Sequence, residues 1–436
     1  LKGLIIAAGR GVRLKNLTRN KPLLPLLGLS LIERTILTAK QAGIDEFYIV
    51  VGYRGEEVKK RLGDGNRYGV KITYIENKEW RRGNGVSVLK AKEWLNENFI
   101  LLMSDHVFES ITLKDLMESK IGEDECVLVV DFVPQEYIDE KEATKVKIEN
   151  DRIIDVGKKI RNYDGFDCGM FLLSPVFFEA LEESIERGDE TISGGVKILA
   201  EREKMRFLDI GGKPWIDIDT EDSCKKAEKM LLKGLIKPTD GPVSRYLNRR
   251  VSTRISKYLV KTNVKPNFIS FLSFIVSLMA ACFFTMGEYF YVLTAGLLSQ
   301  FSSTIDGCDG EVARLKFQES SYGAWFDTVL DRYADAAIIL GMTYGCWILN
   351  RGWETWVVGF MALIGTFMNS YTAVKYDSIF AREKKPRFGR DTRLFLIMLG
   401  ALLNQIFYTL VTLAVFTNIV SIKRLLVLKE TMLNTS

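Results

Sequence analysis

Short apolar runs and charged, helix-spaced stretches alternate along the first half of the chain. The runs are "GLIIAAG" (3–9), "EFYIVVG" (46–52), "FILLMSD" (99–105) and "ECVLVVDF" (125–132). Their length, their branched residues and the turn formers that bound them predict strands buried on both faces. Between the first two lies "LSLIERTILTAKQAG" (29–43), with apolar residues at helical spacing and a glycine stop. Strand, helix and strand in that order predict a mostly parallel α/β sheet of Rossmann-like type. In such sheets ligands sit at the carboxyl ends of the strands.

Past Asn267 the pattern changes. Apolar stretches cover about 267–286, 289–305, 321–349 and 353–375, and a further one runs from about 392 to 428 with a break at Asn404-Gln405. A bilayer crossing needs about 20 apolar residues, so the pattern predicts an all-α transmembrane region of six helices, the last two short or tilted. Between the halves, in "GPVSRYLNRRVSTRISKYLVKTNVKPN" (241–267), Leu247, Val251, Ile255 and Leu259 recur every four residues. Arg249, Arg250, Arg254, Lys257 and Lys261 occupy the other faces. This predicts an amphipathic helix at an anionic membrane surface, a linker helix packed on the soluble domain being the alternative. The expected organisation is a soluble domain over 1–231, a linker and juxtamembrane helix over 232–266, and a transmembrane domain over 267–436.

Composition narrows the function classes. With 436 residues the chain exceeds a single ordinary core. The net charge of +5, without a basic run interleaved with aromatics, excludes nucleic acid as the expected partner. Six cysteines without a C-x-x-C pair indicate neither zinc nor a disulfide framework, and fit a reduced compartment. One histidine, His106, excludes His-rich metal sites. Lys and Arg cluster before the first span, over 306–320, over 375–393 and over 423–429, whereas the opposite turns hold little beyond Arg351. That bias places the soluble domain, both termini and the charged loops on the cytoplasmic side of a cell membrane.

The chemistry of the soluble half begins at "AAGRGVRLKNLTRNKPLLPLLG". Ala8, Gly9 and Gly11 let backbone N–H groups approach a phosphate, and Arg13 and Lys21 supply cations to a polyphosphate. Asp105 ends "LLMSD", and Asp217 and Asp219 alternate on one strand face of "WIDIDTEDS". Three hard carboxylates beside a triphosphate suit Mg²⁺, with Mn²⁺ as the alternative. His106 reads as a structural neighbour of Asp105. The combination resembles the nucleotidyltransferase family. That resemblance implies attack by a phosphate oxygen on the α-phosphorus of a nucleotide, with pyrophosphate leaving and Lys21 and Arg13 in catalytic roles. It also implies that Asn84 and Gly85 in "RRGNGVS" read the nucleobase, and that Lys158 in "VGKKI", or else Lys159, holds the acceptor phosphate.

The second half carries charge where apolar residues are expected, in "DGCDGEVARLKFQESSYGAWFDTVLD" (306–331). Asp306 and Asp309 share a helix face, as do Asp327 and Asp331. If the two helices pack together, four carboxylates converge, and divalent cations remove their repulsion. Gly310 and Gly323 permit close approach. The spacing resembles the signature of the CDP-alcohol phosphotransferase family. It implies that Asp306, Asp309 and Asp327 hold Mg²⁺ around a CDP pyrophosphate, while Gly310 and Arg314 face the cytidine and pyrophosphate. Asp331 completes the metal site and serves as general base. Lys375, Arg390 and Arg393 flank the same mouth, either binding an acceptor phosphate or serving as plain cytoplasmic-side charges. Asp335, one turn on, is open to a salt bridge or a substrate hydroxyl.

Fused in this order, the halves resemble the bifunctional inositol-1-phosphate cytidylyltransferase/di-inositol-phosphate phosphate synthase family. The resemblance implies CTP and inositol 1-phosphate as substrates for CDP-inositol and pyrophosphate. Phosphoinositol then passes to a second inositol 1-phosphate with loss of CMP. It also implies contact with membrane lipids and a homodimer through the membrane helices. The rival readings are a lipid acceptor, a soluble half that only binds nucleotide as a regulator, and a transporter, against which the lack of internal repeats counts.

Overall fold

The computed structural model describes residues 1–14, 16–122, 124–237, 240–350, 352–379 and 388–433. Arg351 and residues 380–387 of the expected basic stretch lie outside them. The chain divides into two units, Leu1–Met230 and Leu231–Ser436.

In the first unit the predicted runs form β1 (Lys2–Ala7), β2 (Glu46–Val51), β4 (Phe99–Met103) and β6 (Cys126–Asp131), and the predicted helix forms α1 (Leu31–Ala42). Glu33 reaches back to accept the Ser30 N–H at 2.9 Å, starting α1, and Gly43 ends it at φ 111°. The remaining elements are α2 (Gly55–Leu62), β3 (Lys71–Glu76), α3 (Asn84–Leu89), β5 (His106–Phe108), α4 (Ser110–Met117), β7 (Lys145–Glu149), β8 (Arg152–Gly157), β9 (Gly165–Leu173), α5 (Val176–Glu186), α6 (Ile192–Glu201), β10 (Met205–Asp209), β11 (Trp215–Asp217) and α7 (Glu221–Gly234).

Nine strands form one sheet in the order β8–β7–β9–β4–β1–β2–β3, with β6 joined to β9 and β10 joined to β6. The expected mostly parallel sheet is corrected to a mixed one. β4–β1–β2–β3 and β6–β10 are parallel, whereas β9 runs antiparallel to β4, β6 and β7, and β7 to β8. Only β7 and β8 form a short-turn hairpin; β9 pairs with β7 rather than β8 and enters antiparallel between β7 and β4. Alternate residues of β1 feed opposite cores, Leu4 and Ile6 on one face and Ile5 and Ala7 on the other. β5 and β11 pair antiparallel beside the main sheet and set Asp217 opposite His106.

The second unit is helical: α8 (Arg249–Leu259), α9 (Pro266–Thr285), α10 (Tyr289–Leu315), α11 (Ser321–Asn350), α12 (Glu354–Ile379), α13 (Arg390–Leu402) and α14 (Ile406–Leu433). α9 packs on α10 and α11, α12 on α14, and α10 on α13 and α8. Among the described residues three helices are long and apolar enough to cross a membrane by composition, over Pro266–Thr285, Glu354–Tyr376 and Ile406–Val427. Two expectations change. The charged stretch 306–320 is mostly helix, since α10 runs to Leu315. Of the last two helices only α13 is short, its 13 residues rising about 20 Å, while α14 has 28 residues.

Candidate active sites

β1, β4 and β11 end together in the first unit and bring its predicted carboxylates to one place. Lys21 Nζ lies 2.5 Å from Asp105, 2.5 Å from Asp219 and 4.0 Å from Asp217. Gly11 makes this possible. Its φ of +61° is a left-handed backbone, and a β-carbon there would overlap Lys21 Cβ. Gly9 faces open space, and Ala8 is buried at the end of β1. Asp219 lies just past β11 rather than within a strand.

Burial disfavours the Lys21 cation, but Asp105, Asp217 and Asp219 hold its pKa well above the usual range. Burial would likewise raise Asp105, yet Lys21 and His106 hold that carboxyl well below its ordinary value. His106 Nδ1 lies 2.9 Å from Asp105, and its ring lies nearly parallel to Trp215 at 6.2 Å. Against the cost of burial, Asp217 and Asp105 push the His106 pKa up to about 9. A ring N–H at Nδ1 donates to the Asp105 carboxylate. Burial raises Asp217 to about 6, and its Oδ1 has no hydrogen-bond partner among the described residues.

A cavity of about 300 Å³ opens beside these groups, lined in part by Arg13, Asn84, Asp105, Lys158, Asp217 and Asp219. Arg13 Nη1 lies 3.0 Å from Glu142 and 3.3 Å from Asp219, and Lys158 Nζ lies 3.5 Å from Glu142. Glu142 thus holds two predicted phosphate-binding cations at the cavity wall. The sequence pattern missed it, because it sits in a charged loop without periodicity. Asn84 Oδ1 accepts the Ile192 N–H at 2.9 Å, and the Gly85 N–H donates to the Glu190 carbonyl at 2.9 Å. A β-carbon at Gly85 would crowd that carbonyl at 2.8 Å. Both residues therefore lock the start of α3 against the turn before α6, and Asn84 alone of the two reaches the cavity.

In the second unit, oxygens of Asp306, Asp327 and Asp331 all lie within 4.8 Å of one another. Asp309 is held by the Ser270 hydroxyl and the Gly310 N–H. Asp306 accepts from Ser273 at 3.2 Å. Arg390 is drawn into the group rather than left at its mouth. Its Nη1 lies 2.6 Å from Asp331 and 3.2 Å from Asp306, and its Nε lies 3.2 Å from Asp335. Arg393, 3% exposed, lies 2.8 Å from Asp335 and reaches the Thr366 carbonyl. Arg393 is thus a buried guanidinium paired with a carboxylate. Asp335 is correspondingly a salt-bridge partner. Lys375 is exposed near the end of α12. Gly310 adjoins Arg314, whose Nε and Nη2 are buried without a hydrogen-bond partner among the described residues.

Both carboxylate groups fit a divalent cation by chemistry. Asp105 and Asp217 gather with His106 in one and Asp306, Asp327 and Asp331 in the other, and each contains a buried oxygen without a hydrogen-bond partner among the described residues, Asp217 Oδ1 in one and Asp327 Oδ1 in the other.

Comparison with known proteins follows the same division. Residues 2–234 match the nucleotidyl transferase family, and residues 263–421 match the CDP-alcohol phosphatidyltransferase family. The chain is 36% identical over 440 residues to the bifunctional IPC transferase and DIPP synthase of Rubrobacter xylanophilus, covering 98% of this chain and 96% of the relative. It is 37% identical over 429 residues to the protein of that description from Aquifex aeolicus, covering 95% of each. Among solved structures, the inositol-1-phosphate CTP transferase from T. maritima is 26% identical, covering 52% of this chain and 94% of that one, with a TM-score of 0.48.

Proposed function

This chain belongs to the bifunctional IPC transferase and DIPP synthase family, and from that premise we propose how its two sites divide the work. The first unit joins CTP and inositol 1-phosphate into CDP-inositol and releases pyrophosphate. The second passes phosphoinositol from CDP-inositol to another inositol 1-phosphate and releases CMP. One observation carries the reading: a single chain holds two separate carboxylate groups, each beside a matching family signature, and the relatives align with it from end to end.

In the first transfer a phosphate oxygen of inositol 1-phosphate attacks the α-phosphorus of CTP, and the bond to pyrophosphate breaks. Lys21 offsets charge on the transferring phosphoryl group, while Arg13 and Lys158 leave Glu142 for substrate phosphates. Asp105, Asp217 and Asp219 would hold Mg²⁺, with His106 fixing Asp105 from behind. In the second transfer an acceptor hydroxyl attacks the β-phosphorus of CDP-inositol, Asp331 takes the hydroxyl proton, and CMP leaves. Asp306, Asp309 and Asp327 would hold the second cation. When bound, Mg²⁺ would screen the triphosphate charge at the first site and the diphosphate charge at the second. Arg390 orients Asp331, Arg314 meets the diphosphate, and Lys375 is the candidate cation for the acceptor phosphate.

The second unit is membrane-associated. Six crossings by α9–α14 account for the polar α10, α11 and α13, whose charged turns face one another rather than lipid. The Lys and Arg clusters put the first unit on the cytoplasmic side. A homodimer through the membrane helices is the expected assembly. The test is ³¹P NMR of the purified chain with Mg²⁺, CTP and inositol 1-phosphate, followed by water/organic extraction. A new phosphodiester in the aqueous phase, with CMP and pyrophosphate, is expected. Product in the organic phase would reassign the acceptor to a lipid.

A further inference from the structure

α8 turns its serine side, not its aliphatic side, toward α10. Leu247 and Val251 are exposed, whereas Asn248, Ser252 and Ser256 are buried against α10. The centre of this contact is Glu311, fully buried in the middle of the Asp306–Arg314 signature. It accepts from Arg249 at 2.7 Å, Ser252 at 2.6 Å and Ser256 at 2.7 Å. Arg249 also donates to Asp240 at 2.9 Å and to the Gly307 carbonyl at 3.4 Å. One turn back, Asn248 donates to Ser303 at 3.1 Å, and Ser303 donates to Asp391 at 3.0 Å, beside Arg390.

At 100° per residue Glu311 lies about 140° from Asp306 and about 160° from Asp309 around α10. The contact therefore grips the back of the two turns whose front presents the carboxylates. A buried carboxylate held by three donors, one of them the Arg249 guanidinium, has a narrow set of satisfied geometries. That narrowness fixes both the rotation and the height of α10 against α8.

We infer that Glu311 is a positioning residue for the second transfer, the anchor through which α8 sets Asp306 and Asp309 in register with Asp327 and Asp331. The inference rests on the phosphoinositol-transfer reading of that unit. It assigns work to a residue between the signature positions and to a helix outside the transmembrane bundle.

The experiment uses the full chain with Mg²⁺, CDP-inositol and inositol 1-phosphate, and follows CMP. Pyrophosphate release from CTP controls for the first unit, and elution as a single species in detergent with a wild-type-like thermal transition controls for folding of the second. In Glu311→Gln, kcat for CMP release should fall about tenfold or more while KM for CDP-inositol stays within about threefold, the split expected of lost alignment rather than lost binding. Pyrophosphate release should be unchanged. The double variant Ser252→Ala/Ser256→Ala keeps the ion pair and should show the same split with a smaller loss. If Glu311→Gln does not fold, the serine variant decides. A CMP-release kcat within about twofold of wild type in the folded variant overturns the inference, as does a loss confined to KM. Wild-type protein that releases no CMP from CDP-inositol would instead overturn the functional reading.

Discussion

Glu33 has no exposed side-chain surface and sits between Arg67 at 2.7 Å and Arg61 at 3.1 Å, with the Tyr68 hydroxyl donating at 2.7 Å. Burial alone would raise its carboxyl, but the bonds from Ser30, Tyr68 and Arg61 hold it below the ordinary value. A carboxyl depressed in the folded state contributes stability above its unfolded pKa of about 4.3, and loses it as pH falls through the lower folded value. Glu33→Gln should therefore destabilise the first unit by about 2 kcal/mol at pH 7, a moderate figure because both guanidinium partners are half-exposed. The difference should be smaller at pH 3 than at pH 7, because protonation removes its charge-dependent part. Calorimetry of both proteins at the two pH values checks it, and an equal difference at both would refute the charged role. The sequence marked this stretch as a helix by its apolar spacing but gave no sign of Arg61 or Arg67, which arrive from later segments.

At the scale of elements, small residues decide which helices meet. Gly341 and Gly345 of α11 face α9, where an added β-carbon would run into the Ala281 and Phe284 carbonyls. Close backbone approach of this kind is how helices associate in lipid, where apolar area gives no advantage. Gly345→Val should push α9 from α11 and cost about 1–3 kcal/mol of packing. CMP release should fall and thermal inactivation should come earlier for the second activity, while pyrophosphate release keeps its wild-type temperature profile. Identical profiles for both activities would show that the two helices tolerate separation. The sequence marked these helices as apolar and gave their ends within a few residues. It did not say that α9 pairs with α11, since hydropathy carries no partner information.

For the whole molecule, two units with separate chemistry predict separable failures. Lys21→Ala should lose pyrophosphate release and keep CMP release from supplied CDP-inositol. Asp331→Asn should do the reverse, with a loss of about 10²–10⁴-fold as for removal of a general base. Mixed together, the two inactive chains should rebuild the full reaction, because CDP-inositol made by one is substrate for the other. Product formation at the rate of CDP-inositol supply is the expected readout. A mixture that accumulates CDP-inositol without phosphodiester would show that the second unit does not take the intermediate from solution.

The sequence by itself determined the two-part organisation, the strands β1, β2, β4 and β6 and the helix α1 of the first part, most of the apolar helices of the second, and the spacing of the carboxylates proposed for both sites. These follow from periodicity and from short spacings such as Asp306–Asp309, which one helix or one strand fixes locally. Tertiary structure decided what depends on distant segments. It made the sheet mixed, because β9 enters between β4 and β7. It set Glu142 against Arg13 and Lys158, drew Arg390 and Arg393 onto Asp335 and its neighbours, and placed Glu311 on the serine face of α8. Each of these joins residues far apart in the chain, which no local pattern records; for Arg390, Arg393 and Glu311 the deciding term is the cost of leaving a buried charge unpaired.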